Sequence, residues 1–210
     1  MKRILKSIAL LCLSFSLVNV SWAADEAPDQ LVKRLSQEIM DLAKSDKDIQ
    51  SGNKKRVEDM IEAKIIPNVD FARMTSLAVG RSWRDTTPEQ QKQLITEFRS
   101  LLVHTYSGAI TQIKDQRLEF KPLRAAADDT EVEVKTLVIQ TRGEPLQLNY
   151  RLAKSATGWK IYDINILGAW LVETYKGSFA AEVSKSGVDG LIKTLVEKNK
   201  KLAAATSAKK

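Results

Sequence analysis

One cysteine and one histidine are all that these 210 residues hold, and each shortage excludes a class of chemistry. The cysteine, Cys12, lies in an N-terminal segment that reads as removable. Lys2, Arg3 and Lys6 open the chain, and no acidic residue precedes Asp25. Ile8 to Val20 is apolar apart from Ser14, Ser16 and Asn19, and Ser21-Trp22-Ala23 places small residues on either side of Trp22. Basic start, short apolar run and small-x-small end are the pattern of a secretory signal peptide, here residues 1–23 with the cut after Ala23 or, as the alternative, Ala24. An apolar run of about 13 residues is too short for a bilayer core that needs about 20. Cys12 follows Leu11, not a small residue, so lipidation is not expected. The expected mature chain then has no cysteine. In an oxidising compartment that removes disulfides, thiol catalysis and thiolate metal sites together.

A positive surface is also missing, although the formal net charge is +7. Three basic residues leave with the signal, and Lys198, Lys200, Lys201, Lys209 and Lys210 crowd the end. Between Ala24 and Glu197 stand 25 basic and 26 acidic residues, a net of −1. A nucleic-acid binder concentrates positive charge on its folded surface, which this distribution argues against. Residues 198–210 read as a frayed or disordered Lys/Ala-rich tail, leaving 24–197 as a single domain.

Catalytic patterns are absent as well. There is no G-x-S-x-G, H-E-x-x-H, phosphate-binding loop or dinucleotide glycine pattern. His104 sits mid-helix between Val103 and Thr105 with no second histidine to share a metal. Asp128-Asp129 and Glu131/Glu133 fall at a turn and on the polar side of a strand, and read as solvated surface.

What remains is amphipathic structure. Pro28 suits a first helical position, and Leu31, Leu35, Ile39 and Leu42 follow at helical spacing. Val57, Met60, Ile61 and Ile65 mark a second helix that should end before Pro67. Asp70 suits the cap of a short third helix ending at Gly80. Thr87-Pro88-Glu89-Gln90 reads as a capping box with proline at the first turn. The helix it opens should reach about Lys114, with a wide apolar face. The period then changes to two over residues 117–123, 131–140, 146–152 and 159–166. In the last of these the alternation slips after Ile161, which predicts a bulge or strong twist. Helical spacing returns from about Gly168 to a break at 184–187, and once more beyond it. Helices before and after an antiparallel meander predict an α+β fold, a four-stranded twisted sheet packed with five to seven helices. Such a cupped sheet can enclose an apolar pocket. A filled core would show the same stripes.

Two stretches carry a resemblance. The first is Pro67-Asn68-Val69-Asp70-Phe71-Ala72-Arg73-Met74, continuing through Val79-Gly80-Arg81-Ser82-Trp83-Arg84 to Thr87-Pro88-Glu89-Gln90. The second is Gly158-Trp159-Lys160-Ile161-Tyr162-Asp163-Ile164, followed by Gly168, Leu171-Val172, Tyr175 and Phe179. In this order they resemble the MlaC or toluene-tolerance family, periplasmic phospholipid carriers of the maintenance-of-lipid-asymmetry pathway. The likeness covers essentially the whole mature chain. It departs at Ile166-Leu167-Gly168-Ala169-Trp170, where the family pattern has an acidic residue before the glycine and a Val-Ser pair after it.

The resemblance implies an NTF2-like or cystatin-like fold that sandwiches acyl chains, and a non-enzymatic role in the periplasm with no cofactor. It also implies phospholipid as cargo, with an outer-membrane lipoprotein complex and an inner-membrane ABC transporter carrying an MCE-domain subunit as partners. On that basis Phe71, Met74, Leu77 and Trp83 are expected on one pocket wall and Leu102, Tyr106 and Ile110 on another. Val134, Leu148, Tyr150, Ile161 and Ile164 are expected to form the floor, and Ala169, Val172 and Tyr175 the entrance. Arg73, Arg81 and Arg84 are the candidates for a lipid phosphate. Two other classes stay in view. One is an enzyme on an NTF2-like scaffold using His104 with a buried carboxylate. The other is a periplasmic interaction module with a solid core.

Overall fold

A computed structural model describes residues 26–207; the expected signal peptide lies outside the described residues. Helix α1 (Pro28–Ser45) starts on the proline, as its sequence requires. Two short helices follow, α2 (Lys47–Gln50), capped by Asp46, and α3 (Lys54–Met60), capped by Asn53. The stretch after α3 differs from expectation. Instead of ending before Pro67, the helical path widens into a π turn over Ile61–Ile65 and tightens into a 3-10 turn over Ile66–Asn68. Pro67 is tolerated there because the opening of such a turn leaves its amide without an intrahelical partner anyway.

Helix α4 (Phe71–Val79) is capped by Asp70, whose side chain accepts from the Arg73 N–H, and stops at Gly80. Gly80 has φ +69, a backbone state open to glycine at little steric cost. Helix α5 (Pro88–Ile110) opens with the full capping box between Thr87 and Gln90.

Strand β1 (Arg117–Phe120) pairs antiparallel with β3 (Thr136–Ile139), and β3 pairs with β4 (Leu146–Ser155). β2 (Glu131–Val134) extends the same register on β4. β5 (Gly158–Ile166) lies on the other side of β4, followed by the two-residue β6 (Ala169–Trp170). Among the described residues, six strands therefore stand where four were predicted. The expected strand 131–140 is interrupted at Lys135, because the Asn149 side chain takes the Thr136 N–H while the Thr136 hydroxyl bonds the Leu148 carbonyl. β6 is too short for a periodic signal.

The predicted slip is a bulge. β4 pairs Arg151 with Asp163 but Leu152 with Ile161, which leaves Tyr162 as the extra residue. The extra residue keeps Ile161 on the same face as Ile164 and Ile166, opposite Leu152, Tyr150 and Leu148.

Helix α6 (Leu171–Ser207) is broken at Gly187, which has φ +72. Its end corrects the frayed tail expected over 198–210. Residues up to Ser207 are helical, Leu202 packs on the helical core, and Asn199 Nδ2 donates to the Glu97 carbonyl and carboxylate at 2.9 and 2.8 Å. Lys/Ala-rich sequence has high helix propensity, and an anchored start lets it propagate. Residues 208–210 lie outside the described part.

Three apolar clusters result. The largest joins α4, α5 and α6 around Met74, Leu94, Phe98, Leu101, Phe179, Leu191 and Leu195. A second packs Leu31, Val32 and Leu35 of α1 on Val134, Leu152 and Ile161 of the sheet. The third, around Ala43, Ile49, Val57, Met60 and Ile61, ties α2 and α3 to the end of α1. Among the described residues no helix is long and apolar enough to cross a membrane.

Candidate functional site

Between the three clusters the packing does not close. A cavity of about 580 Å³ separates the sheet from the second half of α5. Its walls can be built element by element. The face of the sheet that α1 covers at one end continues as open floor at the other, through Leu118 of β1, Val138 of β3, Leu146, Leu148 and Tyr150 of β4, and Ile164 and Ile166 of β5. α5 contributes Leu102, Val103, Tyr106, Ser107, Ala109 and Ile110, and the chain beyond it Gln112, Ile113 and Gln116. α1 adds Ser36, Ile39 and Met40. The π and 3-10 turns add Ile61, Ile65 and Ile66, Val69 follows, and α4 adds Phe71 and Met74. Leu167 and Leu171 complete the lining with Gln140 and Gln147.

None of these 29 side chains is charged, and 21 are apolar. A space this dry favours hydrocarbon, since each buried methylene contributes about 0.8 kcal/mol. Two polar features are internal. The Tyr150 hydroxyl is hydrogen-bonded to Ser36, and burial pushes its pKa up to about 12, so the phenol stays neutral. Tyr106 meets Tyr175, whose pKa burial also raises to about 12. The remaining amides, Gln112, Gln116, Gln140 and Gln147, stand with exposed Ala109 and Leu167 where the cavity meets solvent. Leu167 is 65 % exposed at the β5–β6 turn with φ +56, and its N–H donates to the Gln147 carbonyl at 3.0 Å.

The structure brings together eight of the fifteen residues expected around a pocket: Phe71, Met74, Leu102, Tyr106, Ile110, Leu148, Tyr150 and Ile164. The other seven lie elsewhere. Val134 and Ile161 share the sheet face but sit under α1 in packed core. Leu77 is 39 % exposed on the outer side of α4, and Trp83 is half-buried against the helical cluster. Ala169 is exposed on β6. Val172 and Tyr175, expected at the entrance, belong to the helical core. Val172 N–H donates to buried Asp163 at 3.0 Å, and Tyr175 stacks edge-on with Phe98. Leu167 and Leu171 take the cavity edge instead.

The three arginines are outside the cavity. Arg73 is held by Glu131 at 2.6 Å and lies 4.0 Å over the Tyr162 ring, while Arg81 and Arg84 are exposed beyond α4. That ion pair, with the Tyr162 hydroxyl, holds the Glu131 carboxyl below its ordinary value of 4.5. His104 is likewise not on the cavity. Its Nδ1 is buried without a hydrogen bond, 3.8 Å from the Glu58 carboxylate. The acid–base pair that an enzyme of this shape would place inside its cavity therefore lacks its histidine, and the cavity itself is at odds with a solid-core module.

Sequence reasoning missed the α1 wall and the turns after α3. Leu118, Val138 and Leu146 could have been found from strand parity, since they share a face with Leu148. For Ile39, Met40, Ile61 and Ile65 no local signal exists.

Comparison with known proteins decides the family. A family model described as MlaC protein matches residues 33–197. The chain belongs to the MlaC family. Among its relatives is the intermembrane phospholipid transport system binding protein MlaC of Haemophilus influenzae, 22 % identical over 195 residues, 89 % of this chain and 88 % of that protein. The toluene tolerance protein ttg2D of Pseudomonas putida is 23 % identical over 185 residues, 88 % of this chain and 84 % of its own. A solved structure of a phospholipid-binding protein from Ralstonia solanacearum, in complex with a phospholipid, is 46 % identical with a TM-score of 0.80. It is matched over 86 % of this chain and 99 % of that one. The α+β architecture is thus that of the MlaC family.

Proposed function

We propose that this chain is a soluble periplasmic carrier that holds the acyl chains of a phospholipid in the apolar cavity and passes the lipid between an outer-membrane lipoprotein complex and an inner-membrane transporter, without catalysis. The observation that carries this reading is an uncharged cavity of about 580 Å³ in an MlaC-family fold. That volume is in the range of about 300–1,000 Å³ typical of ligand sites. Exposing two chains of about 15 methylenes to water would cost roughly 25 kcal/mol, so a carrier must enclose nearly all of them. Family membership supports the same reading, since the Haemophilus relative belongs to an intermembrane phospholipid transport system and the Ralstonia relative holds a phospholipid. A basic signal-like start supports the periplasm.

Native mass spectrometry of detergent-free protein, followed by solvent extraction, tests the proposal. The expected result is a discrete mass shift from one phospholipid. Leu148→Trp, which fills the floor, should abolish the shift while circular dichroism stays native. A clean apo mass with no uptake from phospholipid vesicles would overturn the reading.

A further inference from the structure

Beside the cavity mouth lies a second, smaller cleft, lined by Lys44, Gln50, Thr111, Ile113 and Lys114. Ile113 lines both spaces, so the cleft adjoins the cavity at the end of α5. The two are also tied by a hydrogen bond, since Lys44 Nζ donates to the Gln116 carbonyl at 2.9 Å and Gln116 lines the cavity. The cavity supplies no charge of its own. An amphiphile whose chains fill it must therefore find any counter-charge for its head at the rim.

Resting on the carrier reading above, we infer that this cleft is the seat of the lipid's phosphate, with the Lys44 and Lys114 ammonium groups as its cationic partners and Gln50, whose amide keeps one N–H beyond its bond to the Lys44 carbonyl, as a neutral donor. The arginines that the sequence nominated do not compete for this role, because none of them lines the cavity and Arg73 is already paired with Glu131. Lys44 spends one donor on Gln116, and an ammonium has three. Lys114 makes no salt bridge among the described residues.

Two opposing fields meet at the cleft. The cleft lies at the ends of α1 and α5, and each helix C-terminus carries a partial charge of about −0.5, which two full positive charges outweigh. Asp115 feels both ammonium groups, but its carboxylate is bonded to the Thr141 hydroxyl in the β3–β4 loop. A phosphodiester lying between the lysines offers what that carboxylate, held elsewhere, does not: several acceptor oxygens next to the apolar mouth.

The test uses vesicle uptake by the full mature chain, read by extraction and mass spectrometry. The probes are phosphatidylglycerol and a diacylglycerol with the same acyl chains and no phosphate. Wild type should load phosphatidylglycerol in about tenfold preference, the scale of one good charge-assisted contact. Lys44→Gln/Lys114→Gln should lose most of that preference while still loading diacylglycerol. Lys114→Gln alone, at a side chain with no hydrogen bond or salt bridge among the described residues, should lose part of it. Asp115→Asn, which keeps an acceptor for Thr141, should raise it. An unchanged preference in the double variant overturns the site. So does inorganic phosphate that shifts the lysine resonances of lipid-loaded protein as it does those of empty protein, because the cleft would then serve a free anion. Failure of wild type to load either lipid would instead sink the carrier reading.

Discussion

The two halves of α5 both carry apolar residues at helical spacing and end in opposite environments. In the first half Leu94, Phe98 and Leu101 are at most 1 % exposed, wedged between α4 and α6, with Phe98 edge-on to Tyr175 and Phe179 at about 5 Å. In the second half Leu102, Tyr106 and Ile110 face open space across from the sheet. The difference is in what arrives opposite. Two helices converge on the first half and fill it, whereas the second half is spanned by a sheet whose near end is propped apart by α1 and the π turn. Apolar side chains at a wall and in a core are chosen by the same preference for leaving water. Only the partner surface decides whether they meet.

That contrast can be broken in graded steps. Phe98→Ala should cost about 3–5 kcal/mol in denaturant unfolding, because it opens a void where none exists. A loss under about 1.5 kcal/mol would show the helical half to be loosely packed. Asp163→Ala comes next. Its buried carboxylate accepts the Val172 and Ile164 N–H groups at 3.0 and 2.9 Å and faces Arg151, tying β5 to the start of α6. Leaving those donors unpaired should cost about 2–3 kcal/mol, read by the same unfolding curve, and should loosen the seam between the two regions. Ile110→Ala enlarges a space already open, so only the transfer of a half-buried side chain is lost, about 1 kcal/mol. A cost equal to that of Phe98→Ala would mean the cavity is collapsed in solution.

The smallest effect is at the sheet edge. Arg73 and Tyr162 hold the Glu131 carboxyl below 4.5, so the pair stabilises the fold above that pH and loses its contribution as the pH falls through the depressed value. Because the pair is partly open to solvent, which screens it, its worth is a few tenths of a kcal/mol. Glu131→Gln should therefore lower the melting temperature slightly at pH 7 and flatten the acid limb, with the two proteins converging at the lowest pH.

Local chemistry made much of the fold legible. Asp70 and the Thr87–Gln90 box start helices where their side chains can satisfy free amides, and the slip after Ile161 announced the Tyr162 bulge. The site was half legible. Strand parity and the α5 stripe point to part of its floor and one wall, whereas α6 turns Val172 and Tyr175, expected at the mouth, into the helical core.

Read alone, the chain determined its element order, its caps, its sheet face and the chemistry it lacks, because each depends on residues within a few positions of one another. Which apolar face would meet a partner and which would meet a void was decided in three dimensions. So were the split of the 131–140 strand by the Asn149 side chain and the ordering of the Lys-rich end by Asn199 against Glu97. These depend on groups brought together from 13 and 102 positions apart, and no local pattern records such distances.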